Sequence, residues 1–312
     1  MGDILLAIPT IRALQQKDVE VHLLINQRWH ELSEFLPAKT HLFKGAAAMP
    51  ALIKSLQKHD FAAIHDLQGK LATIALSLIL KAPIKTRYVK RQLSEQLAAL
   101  RGKFPLEFSD QRPVWQKYAE SCGLHIETPD PTISLSEAYL QQSRALLKNF
   151  NLAESEFIAL HADASKPGKI LPPELIGELR RQSEKPLVLI GTGTSPVETG
   201  GEILDLRNQI GLHQLPGFLK MACGLISSDS GPMHLGRAVD LPLVGIFLQT
   251  SPSLGFAPVP GQRVMVVSNE LPCKPCSLHG QRETCPQKTF ACRDFDFVQT
   301  AKKITDFFRK KR

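Results

Sequence analysis

The sequence is short of aromatic side chains: 6% of its 312 residues, with two tryptophans and three tyrosines. A surface that stacks unpaired bases interleaves aromatic rings with cations. The most basic stretch, between Lys81 and Lys103, has only Tyr88 and Phe104 in or beside it, so nucleic acid is set aside as a partner. Long apolar runs are also lacking. The longest, Leu71 to Leu80 (LATIALSLIL), is about half of what a bilayer span needs. Met1 leads straight into Gly-Asp, without the basic start of a signal peptide. The expected location is therefore the cytoplasm, where thiols stay reduced. There is no internal repeat and no low-complexity tract. Acids are the minority charge, 30 Asp and Glu against 38 Lys and Arg, which leaves a net charge of +8. That imbalance favours an anionic partner or a membrane surface.

What is present is core and alternation. With 43% hydrophobic residues, a chain of this length can bury about two domains. In the second half, β-type runs at Phe157–Leu160, Leu187–Ile190, Leu225–Ser227, Leu243–Phe247 and Val264–Val267 are separated by helix-length segments such as Pro173–Arg181 and His234–Ala238. Strands alternating with helices imply a parallel sheet with right-handed crossovers. The first half carries strand-like Val19–Ile25 and Phe61–Ile64, and helix-like Thr10–Gln16, Leu71–Lys81 and Val114–Cys122. A boundary falls between Thr128 and Ser155. The expectation is α/β, with two Rossmann-like domains, 1–145 and 146–312, and a ligand cleft between them at the carboxyl ends of the strands.

The stretch richest in chemistry is Ser227–Leu235, SSDSGPMHL. It follows a strand and opens a helix. Ser230 and Gly231 put backbone N–H groups at the helix N-terminus, where unpaired donors and the dipole favour phosphate. Gly231 allows close approach of a ligand, and Pro232 suits the first helical turn. Asp229 is placed to cap the helix, and His234 falls on its first turn. An ordinary N-capped helix is the plainer reading of the same residues. After the next strand, Thr250-Ser251-Pro252 offers hydroxyls at a strand's carboxyl end, as a second ligand contact or a simple loop.

DSGPMHL followed by LPLVGIFLQTSP resembles the signature of glycosyltransferase family 9, the ADP-heptose–lipopolysaccharide heptosyltransferases. GDILLAIPTIRAL, HDLQGKLAT, RPVWQKYAESCGL and HADASKPGKILPP resemble further family segments in the same order. The resemblance runs from Gly2 to the last helix. It implies a GT-B fold, with the acceptor on the first domain and the nucleotide-sugar on the second. It also implies inverting transfer of a heptose or related sugar from an ADP-sugar to an anionic lipopolysaccharide core, at the cytoplasmic face of the inner membrane and with no required cofactor. A GT-B-like nucleotide-sugar epimerase and a catalytically impaired nucleotide-sugar-binding homologue are the alternatives.

Carried over by position, Asp3 matches the general base and Lys169 the lysine that contacts the donor phosphates. Glu198 matches the glutamate at the adenosine ribose. Asp229, Ser230, Gly231 and His234 match the donor-binding motif. The sequence departs from the family at Leu171, where a tryptophan is usual, and at His161-Ala162-Asp163 in place of H-P-G. Asp163 adds a carboxylate near the expected phosphates, which repels them unless a cation intervenes. The glycine turn after Leu187–Ile190 lacks the usual run leading to Glu198.

The basic residues of the first half, among them Lys70, Arg87, Lys90 and Arg91, read either as a solvated face or as a landing surface for an anionic glycolipid. Four of six cysteines crowd one loop: Cys273, Cys276, Cys285 and Cys292. Reduced thiols, a structural zinc site and disulfides all fit that spacing. Family members normally carry a strand ahead of the Gly-Asp turn. Here that first strand is missing, which leaves Asp3 on a loose terminus; a start assigned too far downstream is expected, with a genuine short form of doubtful activity as the alternative.

Overall fold

The computed structural model of the chain describes residues 1–89, 110–193, 203–285 and 287–310. Its strands are β1 (His22–Asn26), β2 (Lys39–Phe43), β3 (Ala63–Asp66), β4 (Ile84–Arg87), β5 (Ile158–His161), β6 (Leu187–Leu189), β7 (Ile203–Asp205), β8 (Gly224–Ser228), β9 (Leu243–Phe247) and β10 (Val264–Ser268). The last six form one sheet in the order β10-β9-β8-β5-β6-β7, with every pair parallel. Its central strands read as near-continuous apolar runs because both faces are covered. Ala159, Val188, Leu225, Leu243 and Phe247 belong to one cluster with Met233, Leu235 and Phe218. Their neighbours Ile158, Leu160, Leu187, Ile226 and Val244 turn to the opposite face, against Leu171, Leu175, Ala301 and Ile304. The chain runs outward from β5 through β6 and β7, then returns to place β8 on the other side of β5. The reversal leaves a crevice at the carboxyl ends of β5 and β8, the usual ligand position in such sheets.

The first half differs from the single parallel sheet expected. It holds two parallel pairs, β1–β2 and β3–β4, which are not hydrogen-bonded to each other among the described residues. The chain enters as helix, Gly2–Leu6 and then Ile8–Gln15, so Gly2-Asp3 is a helical turn and not a β-α turn. The apolar spacing explains this. Leu5 and Ile8 reach the large core beside Ile25 and Leu36, while Leu6 and Ile11 meet Val114, Trp115 and Tyr118 of helix Val114–Ser121. Helix Glu137–Asn149 crosses the 145/146 boundary and packs on helix Leu215–Met221.

Candidate functional site

β8 ends at Ser228, and helix Gly231–Ala238 starts three residues later. Ser230 is the N-cap, in extended backbone. Its hydroxyl does not cap: it donates to the Ser228 carbonyl at 3.1 Å and meets His161 Nδ1 at 3.0 Å. Asp229, expected from sequence to cap this helix, is turned elsewhere. Its Oδ2 lies 2.8 Å from Lys169 Nζ and accepts a 2.8 Å hydrogen bond from Thr250 Oγ1. A charge-assisted pair outcompetes a cap because Asp229 is buried and must find a cation. The triad joins the ends of three strands: Asp229 follows β8, Thr250 follows β9, and Lys169 follows β5 on the turn Pro167–Lys169. Ser251, read from sequence as a second ligand contact or a simple loop, takes part in a turn. Its Oγ accepts from the Ser253 amide and hydroxyl at 3.2 and 2.9 Å, closing the turn Pro252–Leu254.

The cysteine loop buttresses Lys169. The Gly168 amide donates to the Gly280 carbonyl at 2.9 Å. A Cβ on Gly280, whose φ is +73°, would come within 2.6 Å of Lys169 Cγ. The four thiols are free, and burial pushes those of Cys276 and Cys292 up. Among the described residues the thiols do not gather at metal-ligand spacing.

Asp3 joins the same site. Helix Gly2–Leu6 lies against helix Gly231–Ala238, so closely that a Cβ on Gly2 would sit 3.0 Å from the His234 ring. The expected loose terminus is therefore packed, because Met1 and Ile4 border the main core. His234 is buried, which drives its pKa down to about 4, while Asp229 and Asp3 pull it up and the Met1 amine and Lys169 push it down. Asp3, Asp229, Lys169 and His234 thus share one electrostatic neighbourhood. At a pKa of about 4, His234 is a neutral imidazole at neutral pH. The amide end of the helix, expected to be open, is covered: a Cβ on Gly231 would come 2.2 Å from Met1 Cε.

The unusual Asp163 has its cation built in. Arg207 Nη1 lies 3.0 Å from Asp163 Oδ2, and Arg207 Nη2 lies 2.7 Å from Asp205 Oδ2. Nothing in the sequence reading pointed to Arg207; its only local signal is Asp205-x-Arg207 after β7. Among the described residues, the buried Asp163 Oδ1 has no hydrogen-bond partner. Leu171, where the family has tryptophan, is a core residue. Lys70 and Arg87 lie exposed at the ends of β3 and β4, with Arg87 Nε 3.4 Å from the buried Asp66. Glu198, Lys90 and Arg91 lie outside the described residues.

The sequence profile of Glycosyltransferase family 9 (heptosyltransferase) matches residues 49–287, more than two thirds of the chain. The chain is a member of glycosyltransferase family 9. A lipopolysaccharide heptosyltransferase 1 from Campylobacter coli is 22% identical over an alignment of 282 positions, which covers 79% of this chain and 81% of that one. In structure the family 9 chain resembles E. coli ADP-heptose LPS heptosyltransferase II, with a TM-score of 0.72 at 15% identity over 99% of this chain and 96% of the other. It also resembles an E. coli heptosyltransferase solved with ADP, with a TM-score of 0.64 at 19% identity over 100% and 97%. These likenesses show the GT-B fold. The profile match starts at residue 49, so it includes Lys169, Asp229 and His234 but leaves Asp3 to its geometry.

Proposed function

We propose that this family 9 glycosyltransferase moves a heptose or closely related sugar from an ADP-sugar to a lipopolysaccharide core, with inversion at the anomeric carbon. The observation that carries the reading is the convergence of Asp3, Lys169, Asp229 and His234 at the crevice between β5 and β8. Residues 1–145 are proposed to carry the acceptor and 146–312 the donor. In the transfer, the acceptor hydroxyl bonds to the anomeric carbon as the bond from that carbon to the phosphate oxygen breaks. The nucleoside diphosphate leaves with the electron pair. Asp3 takes the hydroxyl proton, the one proton transfer the step requires. Asp229 holds Lys169 in place, and the lysine's remaining N–H donors face the charge that builds on the leaving group, where a fixed cation is most effective. Neutral His234 adds a donor. The Ser230 and Gly231 amides receive phosphate once the Met1 side chain swings off Gly231.

The test is Asp3→Asn with ADP-heptose and a heptose-free core acceptor. Turnover should fall by about 10²–10⁴-fold, the usual share of a general base, while ADP binding stays within about twofold. Full turnover in Asp3→Asn defeats the base assignment. Donor binding without transfer by the unaltered protein would instead make it an impaired homologue.

A further inference from the structure

Three histidines that the transfer chemistry does not use meet on one face of the first half. His22 opens β1, His41 lies in β2, and His59 follows helix Met49–Leu56. Each offers a ring nitrogen, and these nitrogens all lie within 4.8 Å of one another. His22 Nδ1 is 2.8 Å from His41 Nε2. The His59 ring stands edge-on to His22 at 4.5 Å between centroids. Phe61 closes the apolar side, edge-on to His22 at 5.3 Å.

We propose that His22, His41 and His59 form a binding site for a borderline divalent transition-metal ion, zinc in the first instance. Imidazole nitrogens suit zinc, nickel and copper, not magnesium or calcium. Zinc–nitrogen bonds of about 2.1 Å place tetrahedral neighbours roughly 3.4 Å apart. The 2.8 Å between His22 and His41 and the 4.8 Å limit for the trio bracket that spacing, so side-chain rotations suffice to close it.

The surrounding charges favour the same outcome. Glu20 Oε1 lies 2.6 Å from His22 Nε2. The other Glu20 oxygen pairs with Lys39 Nζ. Glu20 Oε1 accepts from His22 Nε2–H, which leaves the His22 Nδ1 lone pair facing His41. That is the carboxylate–histidine–metal arrangement that fixes tautomer and ring orientation in metal sites. His41 Nε2 then donates to His22 Nδ1 across their 2.8 Å contact, and this nitrogen would be free to bind a metal once its proton moves to His41 Nδ1. His59 is exposed, leaving the fourth position to water.

The ion would work as a clamp and not as a catalyst. His22 stands at the amino end of β1. The trio links the β1–β2 pair to the segment that leads into β3, and no strand pairing joins those two pairs among the described residues.

The test is titration of the purified full chain with zinc and with cobalt in metal-free buffer. Wild type should bind one cobalt with a nitrogen–oxygen ligand-field spectrum lacking a thiolate charge-transfer band, and zinc should raise its melting temperature. His59→Gln, at an exposed position where folding is safe, should abolish that spectrum. Glu20→Gln should weaken zinc by about 10–100-fold, the usual second-shell effect. The proposal is overturned if His59→Gln binds as wild type does, if the only cobalt signal is thiolate charge transfer from the cysteine loop, or if neither metal binds.

Discussion

His161 and His234 each sit beside a carboxylate that favours the imidazolium, yet burial wins at both, and both titrate at about 4 in the folded chain. An unfolded chain protonates these rings near 6.5. Between those values the unfolded state binds more protons, so stability rises with pH and is lost as pH falls below 6.5. At about 1.4 kcal/mol per pH unit, each ring removes roughly 2 kcal/mol between pH 6.5 and 5. Urea unfolding at pH 7 and pH 5 should show that loss, and His161→Asn should remove about half of it. An unchanged slope in His161→Asn would mean that the buried ring is protonated as readily as in water. At this scale the sequence was legible where a motif names its own partner. Lys169, Asp229 and His234, each in a recognisable motif, lie together in the fold, and Thr250 joins them through Asp229. It was illegible where partners come from distant strands. Arg207 finds Asp163 only after β5 and β7 are folded into one sheet. Asp229 reads as a helix cap until Lys169 is brought to its carboxylate.

Elements were legible in proportion to their burial. Leu243–Phe247 was read residue for residue because both of its faces are covered. The strands missed are short or partly exposed: Lys39–Phe43, Ile84–Arg87 and Ile203–Asp205. Lys39 and Thr40 in β2, and the Lys-Thr-Arg run of β4, hide the apolar pattern that marks a strand. Helix Gly2–Leu6 was missed because Gly-Asp looks like a turn until its contacts with helix Gly231–Ala238 are known. Two helical glycines separate packing from propensity. A Cβ on Gly217 would meet Ser143 Oγ at 1.9 Å and Tyr139 Cε1 at 2.8 Å, whereas at Gly177 it meets nothing within 4 Å. Gly217→Ala should therefore push helix Leu215–Met221 off helix Glu137–Asn149 and cost about 1–3 kcal/mol by overpacking. Gly177→Ala gains helix propensity and should stabilise by about 0.5–1 kcal/mol. Urea midpoints of the two variants check the pair. Equal shifts in the same direction would show that the packing at Gly217 does not carry helix Glu137–Asn149.

Across the whole molecule, the excess of 38 cations over 30 acids coincides with apolar exposure at one place. Leu71 is 87% exposed and Val89 72% exposed, with Leu78, Ile79 and Ile84 also open. Lys70, Lys81, Lys85 and Arg87 lie exposed among them. No described helix is long and apolar enough to cross a membrane. Cations interspersed with open leucine, isoleucine and valine side chains suit a surface that touches an anionic bilayer without entering it, which is how the proposed glycolipid acceptor would be presented. Each Lys or Arg near an anionic leaflet contributes about 1 kcal/mol, and salt weakens it. The purified chain should therefore sediment with vesicles containing phosphatidylglycerol and stay in solution with phosphatidylcholine alone. The double variant Lys81→Gln, Lys85→Gln should weaken vesicle binding by roughly thirtyfold, and Leu78→Asp should weaken it further, since the apolar contribution is independent of charge. Binding that is equal on both lipids, or unchanged in the double variant, would leave the acceptor to be met in solution and would remove the membrane from the proposed reaction.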